Sequence, residues 1–303
     1  MAADLDLRGI ITVLNTPFAE DGRVDIEALR RHATYAVEAG VAGFLIPGFA
    51  AEVLALTEQE RRDMVRAVVE TAHGKAAVIG GASAPTQAER CRNAETLAGL
   101  GCDLVLASLG FESDAQYQRE IRELASASGR DLMIQDWDSN GPGVPVEAIV
   151  RAVEAVPRFR CLKVETFDAG PKYTRLKAAT AGRLHVSGGW AVMQLIEALD
   201  RDVDAFMPTG LHRAYVTIFR RYVSGDRNGA VRLFHRLLPI LAFSNQNLEH
   251  SIRFFKRLLW RQGLYPTPTL RAPAQAFDDH HQRIADELIG LAIEIENELA
   301  GRP

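Results

Sequence analysis

Eight short runs of β-forming residues alternate with longer helical patterns over residues 1–224 of this chain. Between the runs, apolar residues recur at the spacing of one helical face. Strands that alternate with helices in this way run parallel and are covered by the helices. Eight such units predict an α/β fold, a closed (β/α)8 TIM barrel. A doubly wound sheet is the competing interpretation, but nothing resembles its Gly-rich dinucleotide loop.

The strand pattern places each element of the predicted barrel. The predicted strands are residues 10–14, 43–46, 76–80, 103–107, 131–135, 161–164, 184–187 and 204–207, and the last has the weakest pattern. Gly40 ends the first predicted helix, because glycine readily adopts the left-handed conformation of a helix end. Thr57 and Glu60 form a capping-box pattern that predicts the start of the second helix.

After residue 224 the strand pattern disappears. Helical patterns cover residues 226–242, 246–263 and 279–300, and Pro266, Pro268 and Pro273 separate the last two. We therefore predict two parts: a barrel over 1–224 and a C-terminal three-helix extension over 225–303. The extension is expected to pack on the barrel and not to form an independent domain.

Charge and composition exclude several classes of function. The net charge of −4 provides no positive footprint for nucleic acid or an anionic membrane. No apolar run reaches the roughly 20 residues that span a bilayer, and the acidic segment Met1–Asp6 is unlike a signal peptide. Cys91, Cys102 and Cys161 fit no metal spacing and are predicted to be buried, reduced thiols. We expect a cytoplasmic protein without a metal, a nucleic-acid partner or a membrane partner.

Lys163 is the strongest candidate for chemistry, since active sites of such barrels lie at the carboxyl ends of the strands. It interrupts an apolar strand between Leu162 and Val164, where an ammonium group is costly. Period-two alternation places Cys161, Lys163 and Glu165 on one face. If that face points inward, desolvation favours the neutral amine, which can attack a ketone. A lysine that reaches water or pairs with Glu165 fits the same pattern.

Other strand ends carry weaker candidates. Backbone N–H groups from Gly48 onward could bind a carboxylate, although an ordinary turn has the same pattern. Gly188-Gly189 would let a ligand approach the backbone. Five titratable residues are predicted near the mouth, and each alone is more commonly a solvated or salt-bridged structural residue. They are Glu52, Asp136, Asp138, Glu165 and His185.

Segments along nearly the whole chain, taken together, carry a family resemblance. They are Thr16-Pro17-Phe18, Asp21-Gly22, Asp25, Gly48, Glu52, Leu54, Leu56, Thr57, Glu60-Arg61, Lys163, Ser187-Gly188, Lys256 through Gly263 and Arg271-Ala272-Pro273. With these segments the chain resembles the dihydrodipicolinate synthase / N-acetylneuraminate lyase family of class I 2-oxo-acid lyases. The resemblance implies an imine between Lys163 and the C2 carbonyl of pyruvate or another 2-oxo acid. The protonated imine would stabilise an enamine at C3, so that aldol cleavage, aldol addition or loss of water follows. It implies no cofactor and a homo-oligomer, a tetramer or a dimer.

The chain departs from the family pattern at catalytic positions. The strand-two motif Gly-Thr-Thr-Gly-Glu is Gly48-Phe49-Ala50-Ala51-Glu52 here, without the hydroxyls that grip the substrate carboxylate. The tyrosine that ends strand five is replaced by Gln135, which cannot relay a proton as a phenol can. Gly110-Phe111-Glu112 stands where an aromatic pair is expected. A lysine-biosynthetic synthase is therefore not expected, and Lys163-Val164-Glu165 looks more like the sugar-acid members.

These observations predict a Schiff-base lyase, an aldolase or dehydratase, for a 2-keto-3-deoxy sugar acid or related 2-oxo acid. Lys163 is the predicted nucleophile, Gln135 is expected to bond the substrate or a water, and Glu165 is expected to transfer protons, with Asp136 or His185 as alternatives. The predicted substrate-binding residues are Thr16, Gly48, Phe49, Ala50, Glu52, Asp136 and Gly188. Two alternatives stay open. One is a sensor or structural subunit that binds a 2-oxo acid without turnover, and the other is a barrel enzyme whose acidic residues act on another substrate.

Overall fold

The computed structural model describes residues 7–271 and 276–301. The segment Met1–Asp6, the tail residues Ala272-Pro273 and the remaining positions lie outside the described residues. Eight strands pair in chain order to form a closed barrel, which confirms the predicted TIM barrel. The strands are β1 Gly9–Val13, β2 Gly43–Ile46, β3 Ala77–Gly81, β4 Leu104–Ser108, β5 Asp131–Asp138, β6 Phe159–Thr166, β7 His185–Gly188 and β8 Ala205–Phe206.

Two strands extend further than their apolar runs. β5 and β6 were predicted to end at Gln135 and Val164, but they continue to Asp138 and Thr166. Parallel pairing persists through this polar stretch, where Trp137 is opposite Glu165. Backbone hydrogen bonds alone maintain it, and an apolar pattern cannot detect them. Gln135 and Lys163 therefore lie inside strands.

The helices begin and end where capping residues allow. The sequence prediction located the N-cap of the helix that begins after Thr57, and both hydrogen bonds of that capping box are present. A second capping box, Thr86 with Glu89, starts the third helix. The helices are α1 Ile26–Ala39, α2 Glu58–Ala72, α3 Gln87–Gly99, α4 Asp114–Ser128, α5 Val146–Ala155, α6 Ala169–Ala179, α7 Leu195–Asp200, α8 His212–Val223, α9 Arg227–Ser244, α10 Leu248–Arg261 and α11 Asp279–Leu299.

The chain divides into two compact units. One contains Ala77–Met207, and the other contains Gly9–Ala76 and Pro208–Pro303. The three predicted C-terminal helices are α9, α10 and α11, and they belong to the same unit as β1 and β2. The predicted division of the chain at residue 224 stays a prediction.

Over residues 7–271 and 276–301, no helix combines the length and the apolarity that crossing a bilayer requires. Within the same ranges, no group of three or more His, Cys, Asp or Glu side chains is arranged to bind a metal ion. The three cysteines are free thiols. Cys102 and Cys161 are buried as predicted, whereas Cys91 is partly exposed, which corrects its predicted burial.

A buried ion pair fastens the C-terminal segment to the loop after β2. Glu52 lies between two short 3-10 turns, Phe49–Ala51 and Val53–Ala55, with φ of 56°. Lys256 of α10 donates from Nζ to Glu52 Oε1 over 2.6 Å, and the backbone N–H of Arg271 donates to Glu52 Oε2 over 2.8 Å. Both charged side chains are almost fully buried. Glu52 therefore braces the loop, and substrate binding by Glu52 stays a prediction.

Phe18 completes this cluster as an aromatic contact for two cations. Lys256 Nζ lies 4.2 Å and Arg271 Cζ lies 4.5 Å from the centre of its ring. Such contacts are favourable because the face of an aromatic ring is electron-rich. The Arg271 guanidinium also bonds both oxygens of Glu60 at 2.8 Å. Five residues from the segments that carry the family resemblance, Phe18, Glu52, Glu60, Lys256 and Arg271, are thus joined in one structural cluster.

A chain of buried hydrogen bonds crosses the same unit. Thr12 Oγ1 lies 2.8 Å from His212 Nδ1, His212 Nε2 lies 2.9 Å from His32 Nε2, and His32 Nδ1 lies 3.0 Å from the Tyr265 hydroxyl. Tyr265 donates to the Asn15 carbonyl over 2.6 Å, so its oxygen must accept from His32. His212 then donates to His32, and Thr12 donates to His212. This order requires two neutral imidazoles.

Burial explains the neutral state of both histidines. It lowers the pKa of His32 well below its usual value, and it lowers the pKa of His212 to about 3. The other groups around the pair are Tyr35, whose ring centre lies 5.8 Å from that of His212, and Arg213, whose charge further lowers the pKa of His212. Protonation of either imidazole would remove an acceptor on which the hydrogen-bond chain depends.

Replacing Lys256 by alanine tests the buried ion pair. The Glu52 carboxylate would stay buried without its cation, so we expect the free energy of unfolding to fall by about 3–5 kcal/mol. Urea denaturation followed by circular dichroism measures this loss. The exposed pair Arg23–Asp21, with a similar separation of 2.7 Å, provides the control, and Arg23→Ala should leave stability nearly unchanged. A loss for Lys256→Ala no larger than that of the control would contradict the assignment.

The two histidines predict a loss of stability in acid. The unfolded chain binds protons below a pH of about 6.5, while the folded histidines stay neutral, so protons favour unfolding. Their stabilisation is complete above that pH and is lost progressively as the pH falls. Between pH 7 and pH 5 we expect a loss of about 2 kcal/mol per histidine. Urea denaturation at both pH values should show a smaller loss for His212→Gln, whose amide can accept from Thr12 and donate to His32. Equal losses in the two proteins would refute this account.

Candidate active site

Strand pairing aligns the predicted catalytic residues in rows. Gln135 of β5, Lys163 of β6 and Ser187 of β7 are register partners. In the next row along the same face, Trp137 is opposite Glu165. Lys163 has 6% of its surface exposed, so its amine lies in a largely desolvated environment. The rows place an amine, an amide and a carboxylate near the carboxyl ends of β5 and β6.

The Glu165 carboxylate joins the amine and the amide. Lys163 Nζ lies 3.1 Å from Glu165 Oε2, and the same oxygen accepts a hydrogen bond from Gln135 Nε2. The side chains of Lys163 and Glu165 are only 8% and 12% exposed. The three residues predicted as catalytic are therefore brought together, in a cluster that we call the lysine group: Lys163, Glu165 and Gln135. A carboxylate in contact with a primary amine can take a proton from it and return one.

Gly189 makes room for the lysine group. A Cβ atom built on Gly189 would overlap the Glu165 carboxylate. The carboxylate therefore packs directly against the backbone after β7. The sequence prediction selected Gly188, the last residue of β7, as a pocket-lining residue. Lys163 is opposite Ser187, and residues two apart on a strand share a face. Gly189 therefore follows Ser187 on the face of Lys163, and this spacing could have identified it from the sequence.

Asp136 lies on the opposite face of β5 from Gln135. Its carboxylate is 2.5 Å from Lys172 Nζ of α6, and it accepts from the Val144 N–H over 2.9 Å. Lys172 also donates to the carbonyls of Pro142 and Val144 at 2.5 and 2.7 Å. Burial raises the pKa of Asp136, and the charge of Lys172 opposes this effect. Asp136 is therefore a buried brace of the loop after β5, on the face away from the lysine group, and its prediction as a substrate-binding or proton-transfer residue stays untested.

His185 also lies away from the lysine group. It is the first residue of β7, whereas the predicted mouth is at the carboxyl ends of the strands. Its Nε2 donates to the Leu7 carbonyl over 3.3 Å, and burial lowers its pKa. The prediction of His185 near the mouth is wrong because the titratable residue was assigned to the wrong end of a short strand.

The loop after β2 is built around backbone contacts in the other compact unit. Thr16 Oγ1 donates to the Ala51 carbonyl over 2.6 Å, so the hydroxyl has an internal partner. A Cβ atom on Gly48 would lie 2.9 Å from Val13 Cγ1, which explains a glycine there. Phe49 is 47% exposed. Substrate contacts of Thr16, Gly48, Phe49 and Ala50 stay predictions.

A phenol that the sequence analysis did not identify belongs to the unit of the lysine group. Tyr173 of α6 is 2% exposed, and its hydroxyl has no hydrogen-bond partner in the described chain. Burial raises its pKa, and the negative charge of Glu165 adds to the effect. No strand-end pattern marks this residue, because it lies within the helix that follows β6.

Comparisons with known proteins agree with this fold. A sequence model of the dihydrodipicolinate synthetase family matches residues 6–290. A 4-hydroxy-tetrahydrodipicolinate synthase of Xanthomonas campestris pv. campestris is 34% identical over 298 residues, which cover 96% of this chain and 97% of the relative. An L-2-keto-3-deoxyarabonate dehydratase of Azospirillum brasilense is 23% identical over 296 residues, which cover 94% of this chain and 93% of the relative.

A solved structure shows the same fold over the same length. It is the 4-hydroxy-tetrahydrodipicolinate synthase of the thermoacidophilic methanotroph Methylacidiphilum fumariolicum SolV, with a TM-score of 0.86 and 19% identity. The match covers 97% of this chain and 98% of that chain. The lysine group lies in a barrel of this type, and the family model extends over most of the sequence. The chain therefore belongs to the dihydrodipicolinate synthetase family of class I lyases.

Proposed function

We propose that this protein is a Schiff-base lyase for a 2-keto-3-deoxy sugar acid, which it dehydrates or cleaves in an aldol reaction. The observation that carries the proposal is the buried contact between Lys163 and Glu165, with Gln135 on the same carboxylate oxygen. It combines a nucleophile with a proton carrier in a desolvated position. The L-2-keto-3-deoxyarabonate dehydratase relative, aligned over nearly the whole chain, supports the choice of substrate class.

Imine formation uses both members of the ion pair. Glu165 takes a proton from the Lys163 ammonium, and the neutral amine attacks C2 of the 2-oxo acid. The resulting carbinolamine loses its hydroxyl, which leaves as water with a proton from Glu165. A protonated imine remains on Lys163. A single carboxylate 3.1 Å from the amine suffices for this exchange, and the phenol that is missing from the end of β5 is not required.

The imine then activates C3. Its positive charge stabilises the electron pair left when Glu165 removes a C3 proton, and an enamine forms. In dehydration, the C4–O bond breaks and the proton leaves with the hydroxyl as water. In aldol cleavage, the C4 hydroxyl instead loses its proton and the C3–C4 bond breaks, which releases an aldehyde and leaves an enamine that is protonated at C3. Hydrolysis of the imine regenerates Lys163 in both cases.

Gln135 is assigned a positioning role. Its amide donates to Glu165 Oε2 and so orients the carboxylate towards Lys163. Unlike a tyrosine at this position, it cannot exchange protons with the substrate. Substrate contacts of Thr16, Gly48, Phe49, Ala50 and Gly188 stay predictions from the sequence. A cytoplasmic homo-oligomer without a cofactor remains part of the proposal.

A second candidate is a protein that binds a 2-oxo acid without turnover, as a sensor or structural subunit. The specific observation in its favour is that Gln135, Phe49 and Ala50 replace the tyrosine and both hydroxyl residues of the family pattern. Such a protein would still form the imine, because Lys163 and Glu165 are present. It would not release a product over a broad panel of 2-keto-3-deoxy acids.

Borohydride trapping with pyruvate tests the role of Lys163. The chain has five lysines, and Lys172, Lys177 and Lys256 are each buried against a carboxylate. We expect peptide mass spectrometry to find the reduced adduct on Lys163, and Lys163→Ala to lose both adduct and turnover. Lys75, an exposed residue, reports non-specific reaction, and Lys75→Ala is the matched control. Substantial turnover by Lys163→Ala would overturn the mechanism.

Replacing Glu165 by glutamine tests proton transfer separately from imine formation. The amide preserves the shape of the side chain but cannot carry a proton, so we expect kcat to fall by about 10²–10⁴-fold. The pyruvate adduct on Lys163 should still form, although more slowly. Glu147→Gln, at an exposed carboxylate of α5, is the control and should keep full activity. An unchanged kcat for Glu165→Gln would assign the proton transfer to another group.

A further inference from the structure

Trp137 is an exposed aromatic residue on the face of β5 that carries the lysine group. β5 extends through Trp137, so its side chain lies on the same face as that of Gln135. Asp136 between them points to the opposite face, where it pairs with Lys172 of α6. Gln135 contacts Glu165, which identifies the face of Trp137 as the face of the lysine group. Yet 62% of the Trp137 surface is exposed.

The exposed indole is attached to a well-braced loop. The Phe167 N–H donates to the carbonyls of Asp138 and Gly141, each over 3.1 Å. The Asp138 carboxylate accepts from the N–H groups of Asn140 and Gly143 at 3.1 and 3.2 Å. These contacts connect the loops that follow β5 and β6. The indole therefore projects from a backbone that several hydrogen bonds hold in place.

The position of Trp137 matches the distal part of a substrate held on Lys163. Trp137 is opposite Glu165 and lies two residues beyond Gln135, the register partner of Lys163. Two residues of a strand span about 6.6 Å. A 2-oxo acid bonded at C2 to the amine would place C4 and the following carbons along this distance. Pyruvate, with three carbons, has no such part.

The chemistry of Trp137 and Glu165 indicates which groups the distal part of the substrate, C4 and the following carbons, carries. It combines the exposed indole of Trp137 with the Glu165 carboxylate of the neighbouring strand. A chain of hydroxylated carbons presents C–H groups on one side and hydroxyls on the other. The C–H groups pack on an aromatic face, while a hydroxyl donates to a carboxylate.

We propose that Trp137 is a specificity-determining residue that forms the wall for carbons C4 to C6 of a hydroxylated 2-oxo acid. The inference rests on the proposed imine at Lys163. It assigns Trp137 to selection of the distal chain and gives it no part in imine formation. The residue therefore distinguishes long from short substrates, and pyruvate is the natural internal reference.

The test compares two acids on three proteins. Wild type, Trp137→Ala and Trp260→Ala are incubated with pyruvate or 2-keto-3-deoxygluconate over a range of concentrations and reduced with borohydride. The half-saturating concentration for the adduct on Lys163 is measured by peptide mass spectrometry. For Trp137→Ala we expect that concentration to rise about tenfold with 2-keto-3-deoxygluconate and to stay unchanged with pyruvate. Trp260, a partly exposed residue of α10, is the matched control and should affect neither acid.

The other outcomes contradict either the proposed function or the role of Trp137, and they can be told apart. If wild type traps neither acid on Lys163, the proposed function fails, and the role of Trp137 fails with it. If trapping is normal but Trp137→Ala affects both acids equally or neither, only the inference about Trp137 fails. Sedimentation of the same proteins tests whether Trp137 instead contacts a second copy of the chain. A changed particle mass for Trp137→Ala with unchanged selectivity would make Trp137 a contact between copies of the chain. Trp137→Phe, which retains an aromatic face, should restore most of the selectivity.

Discussion

The contact between Lys163 and Glu165 is the interaction on which the functional account depends. An ammonium group inside a parallel strand is costly unless a partner compensates for its lost hydration. Glu165 provides that compensation at 3.1 Å, and Gln135 shares the same oxygen. The arrangement persists because β5 and β6 pair beyond their apolar segments and because Gly189 leaves space for the carboxylate. In the proposed mechanism, the contact that compensates for the burial of Lys163 is also the one through which the amine loses its proton.

Buried charge pairs recur as structural braces in this chain. Asp136 with Lys172 secures the loop after β5, and Glu52 with Lys256 secures the loop after β2 to α10. Breaking either pair would strand a charge away from water, so each pair specifies its loop conformation strongly. A charged residue near a strand end is therefore not by itself evidence of a catalytic role. The partner and the face of the strand decide the role.

Local sequence patterns predict the barrel and the lysine. The partners of the other charged and titratable residues depend on contacts between distant parts of the chain. The apolar runs are local, and a lysine in such a run is conspicuous, so Lys163 and its neighbour Glu165 were identified. Glu52 and Lys256 are 204 positions apart, and His32 and His212 are 180 apart, so no local pattern relates them. The sequence pattern ends β5 at Gln135, so it does not predict which face Asp136 occupies. The strand continues to Asp138, and this places Asp136 on the face opposite Gln135. Gly189 depends on the conformation of the Glu165 side chain, which periodicity cannot supply.

The central claim, a covalent imine on Lys163, is tested most directly by observing the substrate carbon itself. Pyruvate labelled with carbon-13 at C2 would be added to the protein and followed by nuclear magnetic resonance without any reducing agent. The account predicts a broad protein-bound signal at the chemical shift of an imine carbon, present in wild type and absent from Lys163→Ala. A saturated wild-type sample that shows only the ketone and hydrate signals of free pyruvate would contradict it.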